Sequence, residues 1–215
     1  MGSFSIISKI ANVLPQGNSI FVETGTYLGD GVKQAIKQGY SVVHSTEIDP
    51  KLYIKASHQF AHCSNIYIHH GDSSQLLSSL IDFINSQDNT TPITFWLDAH
   101  FPGSDLGEID YIQGAILNKE DTWMPLKKEL EVIFSKRLPI DNIIIDDLRC
   151  FSDRFKTQGN SFIDHLKAIG QNIPPNITRS DLVKISDIEI ENMAGPKRRV
   201  DYYMQNEGYI VITPL

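Results

Sequence analysis

The chain has 215 residues, 41% of them hydrophobic and 21% charged, and 26 acidic side chains against 19 basic ones give a formal net charge of -7. This is an ordinary globular composition, on a chain long enough to bury roughly 70% of its unfolded surface without staples. The acidic balance argues against a duplex nucleic-acid partner, Cys63 and Cys150 build neither a disulfide framework nor a zinc ladder, and the lack of an 18-residue apolar run argues against a membrane span. The first residues lack the basic and apolar stretches of a signal peptide, so the expectation is a cytoplasmic protein forming one domain over 1–215.

Residues 19–23, 40–46, 65–69 and 93–97 are short and rich in β-branched and aromatic side chains, the signature of buried strands. Between them the spacing turns helical. Val32, Ala35 and Ile36 share one helix face; Leu76, Leu77, Leu80, Ile81 and Ile84 form a broader stripe. Asp49-Pro50 predicts an N-cap with proline in the first turn of a helix reaching Phe60, and Asp72-Ser73-Ser74 predicts another helix start. Residues 101–122 lose the periodicity and read as a loop or lid insertion, with room for a short helix at 109–117. The alternation resumes with a helix carrying Leu126, Leu130, Val132 and Ile133, a strand at 142–146, a short helix at 161–169 and a turn at 173–176. Residues 183–190 suit a strand or a helix. The chain closes as a hairpin, 199–204 and 209–213, around Gln205-Asn-Glu-Gly208. Strands alternating with helices imply an α/β fold, a doubly wound, mostly parallel sheet ending in an antiparallel hairpin.

Chemistry gathers at the predicted strand ends. Glu23-Thr-Gly25-Thr26-Tyr27-Leu-Gly29-Asp-Gly31 joins the first strand to the first helix, where glycine admits close backbone approach and the helix N-terminus offers free N–H groups. Its GxxxGxG spacing differs from the GxGxxG of dinucleotide-binding domains, and the carboxylate of Glu23 suits an ammonium group better than a phosphate. Glu47 ends the second strand, where a carboxylate can accept both ribose hydroxyls. Gly71-Asp72-Ser73 ends the third; Asp72 either caps a helix or reads an adenine amino group. Asp49 reads as a cap.

This ordered set, ExGxxxGxG, Glu47, Gly71-Asp72 and Leu97-Asp98, resembles the class I S-adenosylmethionine-dependent methyltransferases over essentially the whole chain. The resemblance implies a seven-stranded Rossmann-like sheet. It puts Glu23, Gly25, Thr26, Tyr27 and Gly29 near the methionine part of the cofactor, Glu47 on the ribose, Gly71, Asp72 and Ser73 beside the adenine, and Asp98 at the cofactor's reactive end.

Asp98 after the fourth strand and Asp146 with Asp147 after the fifth fall at adjacent strand ends, where three carboxylates call for neutralisation by a hard divalent cation such as Mg²⁺. This looks like the metal-dependent O-methyltransferases, catechol-type and macrocin-type, and implies Asp98, Asp146 and Asp147 as metal ligands. Where macrocin-type enzymes carry Asp-x-Asp, this chain has Asp98-Ala-His100, which leaves His100 as general base, ligand or orienting residue. The expected activity is methyl transfer to a hydroxyl of a small polar acceptor, such as a sugar or sugar nucleotide, without nucleic acid or membrane and with a homo-oligomer open. Alternatives are a metal-independent N- or O-methyltransferase, a non-catalytic nucleoside-binding module and, disfavoured by the glycine spacing, an NAD-linked oxidoreductase.

Among the remaining features, Lys197-Arg198-Arg199 reads as a solvated surface or an anion clamp, a role Arg149 and Arg154 also suit. Trp96 belongs to a core strand, Trp123 packs or stacks on an acceptor, and both cysteines read as small buried residues.

Overall fold

The computed structural model describes residues 19–100, 113–114, 123–152, 154, 163, 166–167, 170, 172–175, 185–204 and 208–215. In chain order these give β1 (Ile20–Thr24), α1 (Asp30–Lys37), β2 (Val42–Glu47), α2 (Pro50–Phe60), β3 (Ile66–His70), α3 (Ser73–Gln87), β4 (Ile93–Leu97), α4 (Leu126–Lys136), β5 (Asn142–Ile145), a single 3₁₀ turn (Leu148–Cys150), α5 (Asp187–Ala194), β6 (Arg198–Tyr203) and β7 (Tyr209–Pro214). The seven strands form one sheet in the order β3-β2-β1-β4-β5-β7-β6. The first five run parallel, while β7 pairs antiparallel with both β5 and β6. This is the doubly wound sheet and terminal hairpin expected from the alternation.

Period-two side chains divide the sheet into two buried faces. Val22, Phe95, Leu97, Ile143, Ile145, Ile210 and Ile212 pack with Leu77, Ile81 and Ile84 of α3, Leu126, Leu130 and Ile133 of α4 and Ile190 of α5. On the other side Phe21, Val43, Trp96, Ile144 and Val211 meet Val32 and Ala35 of α1 and Phe60 of α2. Local chemistry sets the helix starts. Asp49 accepts from the amides of Lys51 and Leu52, with Pro50 in the first turn, and Asp72 accepts from Gln75 N. Of the undecided stretch 183–190, residues 187–190 open α5, where Ser186 and Glu189 form a capping box that satisfies the first-turn donors in both directions, and 183–184 lie outside the described residues. Cys150 is buried as expected; Cys63 is only half-buried at the end of α2.

Trp123 is buried in the larger core cluster rather than offered for stacking. A Cβ on Gly114 would fall 2.0 Å from its ring, so one point of the insertion rests directly on that indole. Gln113 and Gly114 are helical, in keeping with the expected short helix; the rest of the insertion, the 161–169 helix apart from residues 163, 166 and 167, Asn176 of the predicted turn and the 205–207 turn lie outside the described residues. No helix among the described residues is long and apolar enough to cross a membrane.

The edge of the sheet opposite the site is closed by a buried ion pair. The Arg137 guanidinium donates from Nε to Asp141 Oδ2 and from Nη2 to Asp141 Oδ1, both at 2.8 Å, and reaches Asn85 Oδ1 (2.6 Å) and the carbonyls of Asn89 and Thr91. Asp141 Oδ1 also accepts from Ile93 N at 2.8 Å. The end of α3, the start of β4, the end of α4 and the start of β5 thus share one fully used ion pair. Removing one partner strands the other charge in the interior, which costs about 3–5 kcal/mol. Arg137→Ala should lower the free energy of unfolding in urea by that amount, and a change under about 1 kcal/mol would contradict this role.

Candidate active site

Strand pairing continues one residue beyond the carboxyl ends of the parallel strands. Gly25 N donates to Thr46 O, Gly71 N to Glu47 O, Asp98 N to Thr24 O and Asp146 N to Leu97 O, at 2.9–3.2 Å. The residues leaving β1, β3, β4 and β5 therefore stand along one edge. The winding reverses between β1 and β4, the place where open α/β sheets leave a ligand crevice.

Gly25 sits at φ +83°, and a Cβ there would meet the Asp98 carbonyl oxygen at 2.9 Å. The turn after β1 is consequently pressed against the loop leaving β4. Gly31 has a second steric role, since its Cβ would lie 1.7 Å from Glu23 Oε1. The Glu23 carboxylate is therefore packed beneath the first turn of α1, near its free amides. Ser45 Oγ donates to Glu23 Oε2 (2.5 Å), and Thr26 Oγ1 lies 2.6 Å from Ser45 Oγ and donates to Thr46 O. Burial pushes the Glu23 carboxyl up to about 8, helped by the charges of Glu47 and Asp30 and opposed by the Ser45 hydrogen bond. Glu47 accepts from Tyr27 N (2.7 Å) and Asp49 N (2.9 Å), which draws the glycine turn onto β2; burial raises its pKa too. Tyr27 holds a left-handed φ of +47° with its ring exposed. Gly29 caps α1 with Phe60 beside it, and Gly71 lies near Leu76.

Beyond β4 and β5, Asp98, His100 and Asp147 converge, each offering a ligand atom within 4.8 Å of the others. His100 Nε2 is 2.6 Å from Asp147 Oδ2 and 3.6 Å from Asp98 Oδ1. Asp147 reaches this position from the left-handed region, φ +54°, an uncommon backbone for a side-chain-bearing residue. Asp146, expected as a ligand, is not in this trio; its Oδ1 accepts from Asp147 N at 2.8 Å and braces the turn. Burial raises the Asp98 carboxyl well above the ordinary range, followed by the charge of Asp146; Asp147 and Glu23 add to this, and His100 opposes it. A carboxylate raised by three others is short of positive charge. Two carboxylates and an imidazole within that span are a reasonable donor set for a divalent cation, and the imidazole widens the choice toward Mn²⁺ or Zn²⁺.

The sequence reading missed Glu129. It is buried on α4, where its carboxylate accepts a short hydrogen bond from Ser73 Oγ, and it lines a small cavity with Asp98, His100, Asp146, Met124 and Phe151. Burial pushes it up to about 7. The run Lys127-Lys128-Glu129 looks like a solvated face, yet Leu126, Glu129, Leu130 and Ile133 follow the i, i+3, i+4, i+7 spacing of a buried stripe. Other sequence candidates lie elsewhere. Arg154 pairs with Glu191 and stacks over Tyr202, and Arg199 pairs with Asp201.

No family model and no curated protein matches the chain. Solved structures do. A candidate caffeoyl-CoA O-methyltransferase from Staphylococcus aureus superposes with a TM-score of 0.61 at 13% identity, over 100% of this chain and 85% of that one. An O-methyltransferase from Bacillus cereus, in complex with SAH, gives 0.56 at 13% over 100% and 83%, and a candidate O-methyltransferase from Klebsiella pneumoniae gives 0.55 at 13% over 100% and 81%. The fold is the seven-stranded, Rossmann-like methyltransferase fold.

The Glu23 carboxyl has a direct thermodynamic consequence. Its folded pKa, about 8, exceeds its unfolded value of 4.5, so between those values the native state binds more protons and Glu23 lowers stability as pH rises. Glu23→Gln should match the ligand-free wild type near pH 4 and exceed it by a few kcal/mol above pH 8, measured by urea unfolding across the range. Parallel profiles would contradict the buried, proton-holding state.

Proposed function

We propose that the chain is an S-adenosylmethionine-dependent O-methyltransferase acting on a hydroxyl of a small polar acceptor, with a divalent cation held by Asp98, His100 and Asp147. The observation that carries the reading is an acidic crevice, short of positive charge, at the switch point of a methyltransferase fold. Glu23, Glu47 and Asp98 surround it with carboxylates that burial disfavours in the ionised form. A ligand bearing an ammonium and a sulfonium, and no phosphate, complements such a crevice. NAD, with its pyrophosphate, would be repelled.

In this reading Glu23 and the Gly25–Gly29 turn face the methionine part, with Thr26 pinning that turn to β2 and Tyr27 at its exposed corner. Glu47, already fixed by two amides, takes the ribose hydroxyls, and Gly71, Asp72 and Ser73 border the adenine. The cofactor supplies an electrophilic methyl group. Asp98, His100 and Asp147 would hold the cation, whose charge would orient the acceptor's oxygens and lower its hydroxyl's pKa, leaving alignment and charge stabilisation as most of the catalysis. Asp146 secures the turn that presents Asp147. Resemblance to the sugar enzymes favours a carbohydrate-bearing acceptor.

A metal-free second reading draws on the 2.6 Å contact between His100 Nε2 and Asp147 Oδ2. Asp147 would then orient His100 as a general base toward the acceptor hydroxyl. The two readings separate cleanly. Mn²⁺ binding followed by electron paramagnetic resonance should be present in wild type and lost in Asp147→Asn, with S-adenosylhomocysteine affinity kept in both; a protein that turns over in chelator and binds no Mn²⁺ belongs to the second reading.

The cofactor assignment has its own check. Titration calorimetry should give tight binding of S-adenosylmethionine and S-adenosylhomocysteine, weak binding of NAD, and a loss of about 1–3 kcal/mol on Glu47→Ala from missing charge-assisted hydrogen bonds. Equal affinity for NAD would sink the assignment.

A further inference from the structure

We propose that Glu129 is a positioning residue for the reaction above, tying the adenine side of the crevice to the Asp98 side through one buried carboxylate. The inference rests on the methyltransferase reading and adds a residue to it.

Ser73 Oγ, at the first position of α3, donates to Glu129 Oε1. Glu129 also lines one small cavity with Asp98, His100 and Asp146, which leave the carboxyl ends of β4 and β5. It is 1% exposed, and Ser73 is buried as well. Two helices, α3 and α4, are therefore tied by a single side chain that also walls the Asp98 side of the crevice. Asp72, which borders the proposed adenine site, is fixed one residue before Ser73 by its bonds to Ser74 Oγ and Gln75 N.

Packing alone does not account for a carboxyl here. Position 129 belongs to the apolar stripe of Leu126, Leu130 and Ile133, which leucine would complete without desolvating a polar group. Replacing buried polar or ionic groups by apolar ones of similar volume is often neutral or stabilising. An acid retained against that preference, lining the same cavity as Asp98 and His100, is explained by what it holds in place.

The test separates stability from binding. Glu129→Leu fills the stripe, so its melting temperature should equal or exceed that of wild type, while its affinity for S-adenosylhomocysteine, by titration calorimetry, should fall at least about tenfold through loss of a charge-assisted hydrogen bond. Glu129→Gln keeps an acceptor oxygen and should restore affinity to within about threefold of wild type. A folded Glu129→Leu that binds like wild type overturns the proposal, as does a Glu129→Gln that binds as poorly as Glu129→Leu. If Glu129→Leu does not fold, Glu129→Met, which also fills the stripe and carries no acceptor oxygen, takes its place, and Ser73→Ala is measured beside it: an unchanged affinity in Ser73→Ala overturns the proposal. Wild type that binds no S-adenosylhomocysteine sinks the methyltransferase reading and this inference together; binding by wild type with an indifferent Glu129→Leu sinks only the inference.

Discussion

Carboxylates taken out of water lose their hydration and repel one another, and the carboxyl edge of this sheet collects them. Glu23 and Asp98 stand on adjacent strands, Asp146 and Asp147 follow on the next, and Glu129 looks in from α4. Left alone, such a set answers by holding protons, which is why burial lifts Glu23 to about 8 and Glu129 to about 7. Much of the local architecture manages this charge. Ser45 and Ser73 lend hydroxyls, the amides of Tyr27 and Asp49 serve Glu47, and His100 stands between two aspartates. A positively charged ligand would do electrostatically what the protons do in its absence.

The opposite edge solves the same problem differently. Arg137 and Asp141 neutralise each other in place, and every remaining donor of the guanidinium group finds a carbonyl or amide oxygen. One end of β4 and β5 is thus closed with its charges matched, and the other is open with a surplus of one sign. A rigid frame below and an unbalanced edge above is a common division between stability and function in open α/β sheets.

Much of this was legible in the sequence because it follows from period and position. Strands buried on both faces read as continuous apolar runs, and each ends at a polar residue that must emerge at the sheet edge, so Glu23, Glu47 and Asp98 could be found without coordinates. Asp49-Pro50 announced its helix by cap chemistry. The stretch 183–190 stayed ambiguous because its apolar spacing fits either period; the deciding signal was the Ser186–Glu189 pair, legible only when residues are read as caps. Glu129 was hidden by its charged neighbours although its phase pointed inward. The grouping of His100 with Asp147, and Asp146 outside it, depends on a left-handed turn that composition does not encode.

That turn narrows what position 147 can be. The αL backbone tolerates glycine, asparagine and aspartate and strains most other residues. The hydrogen bond to His100 asks for an oxygen on a short stem. Glycine would relax the main chain and delete the side chain, glutamate would keep the charge on a longer and more strained arm, and asparagine would keep shape while surrendering charge. Conformation and chemistry, two independent filters, select the same residue, so drift at this site should be confined to a very short list of amino acids.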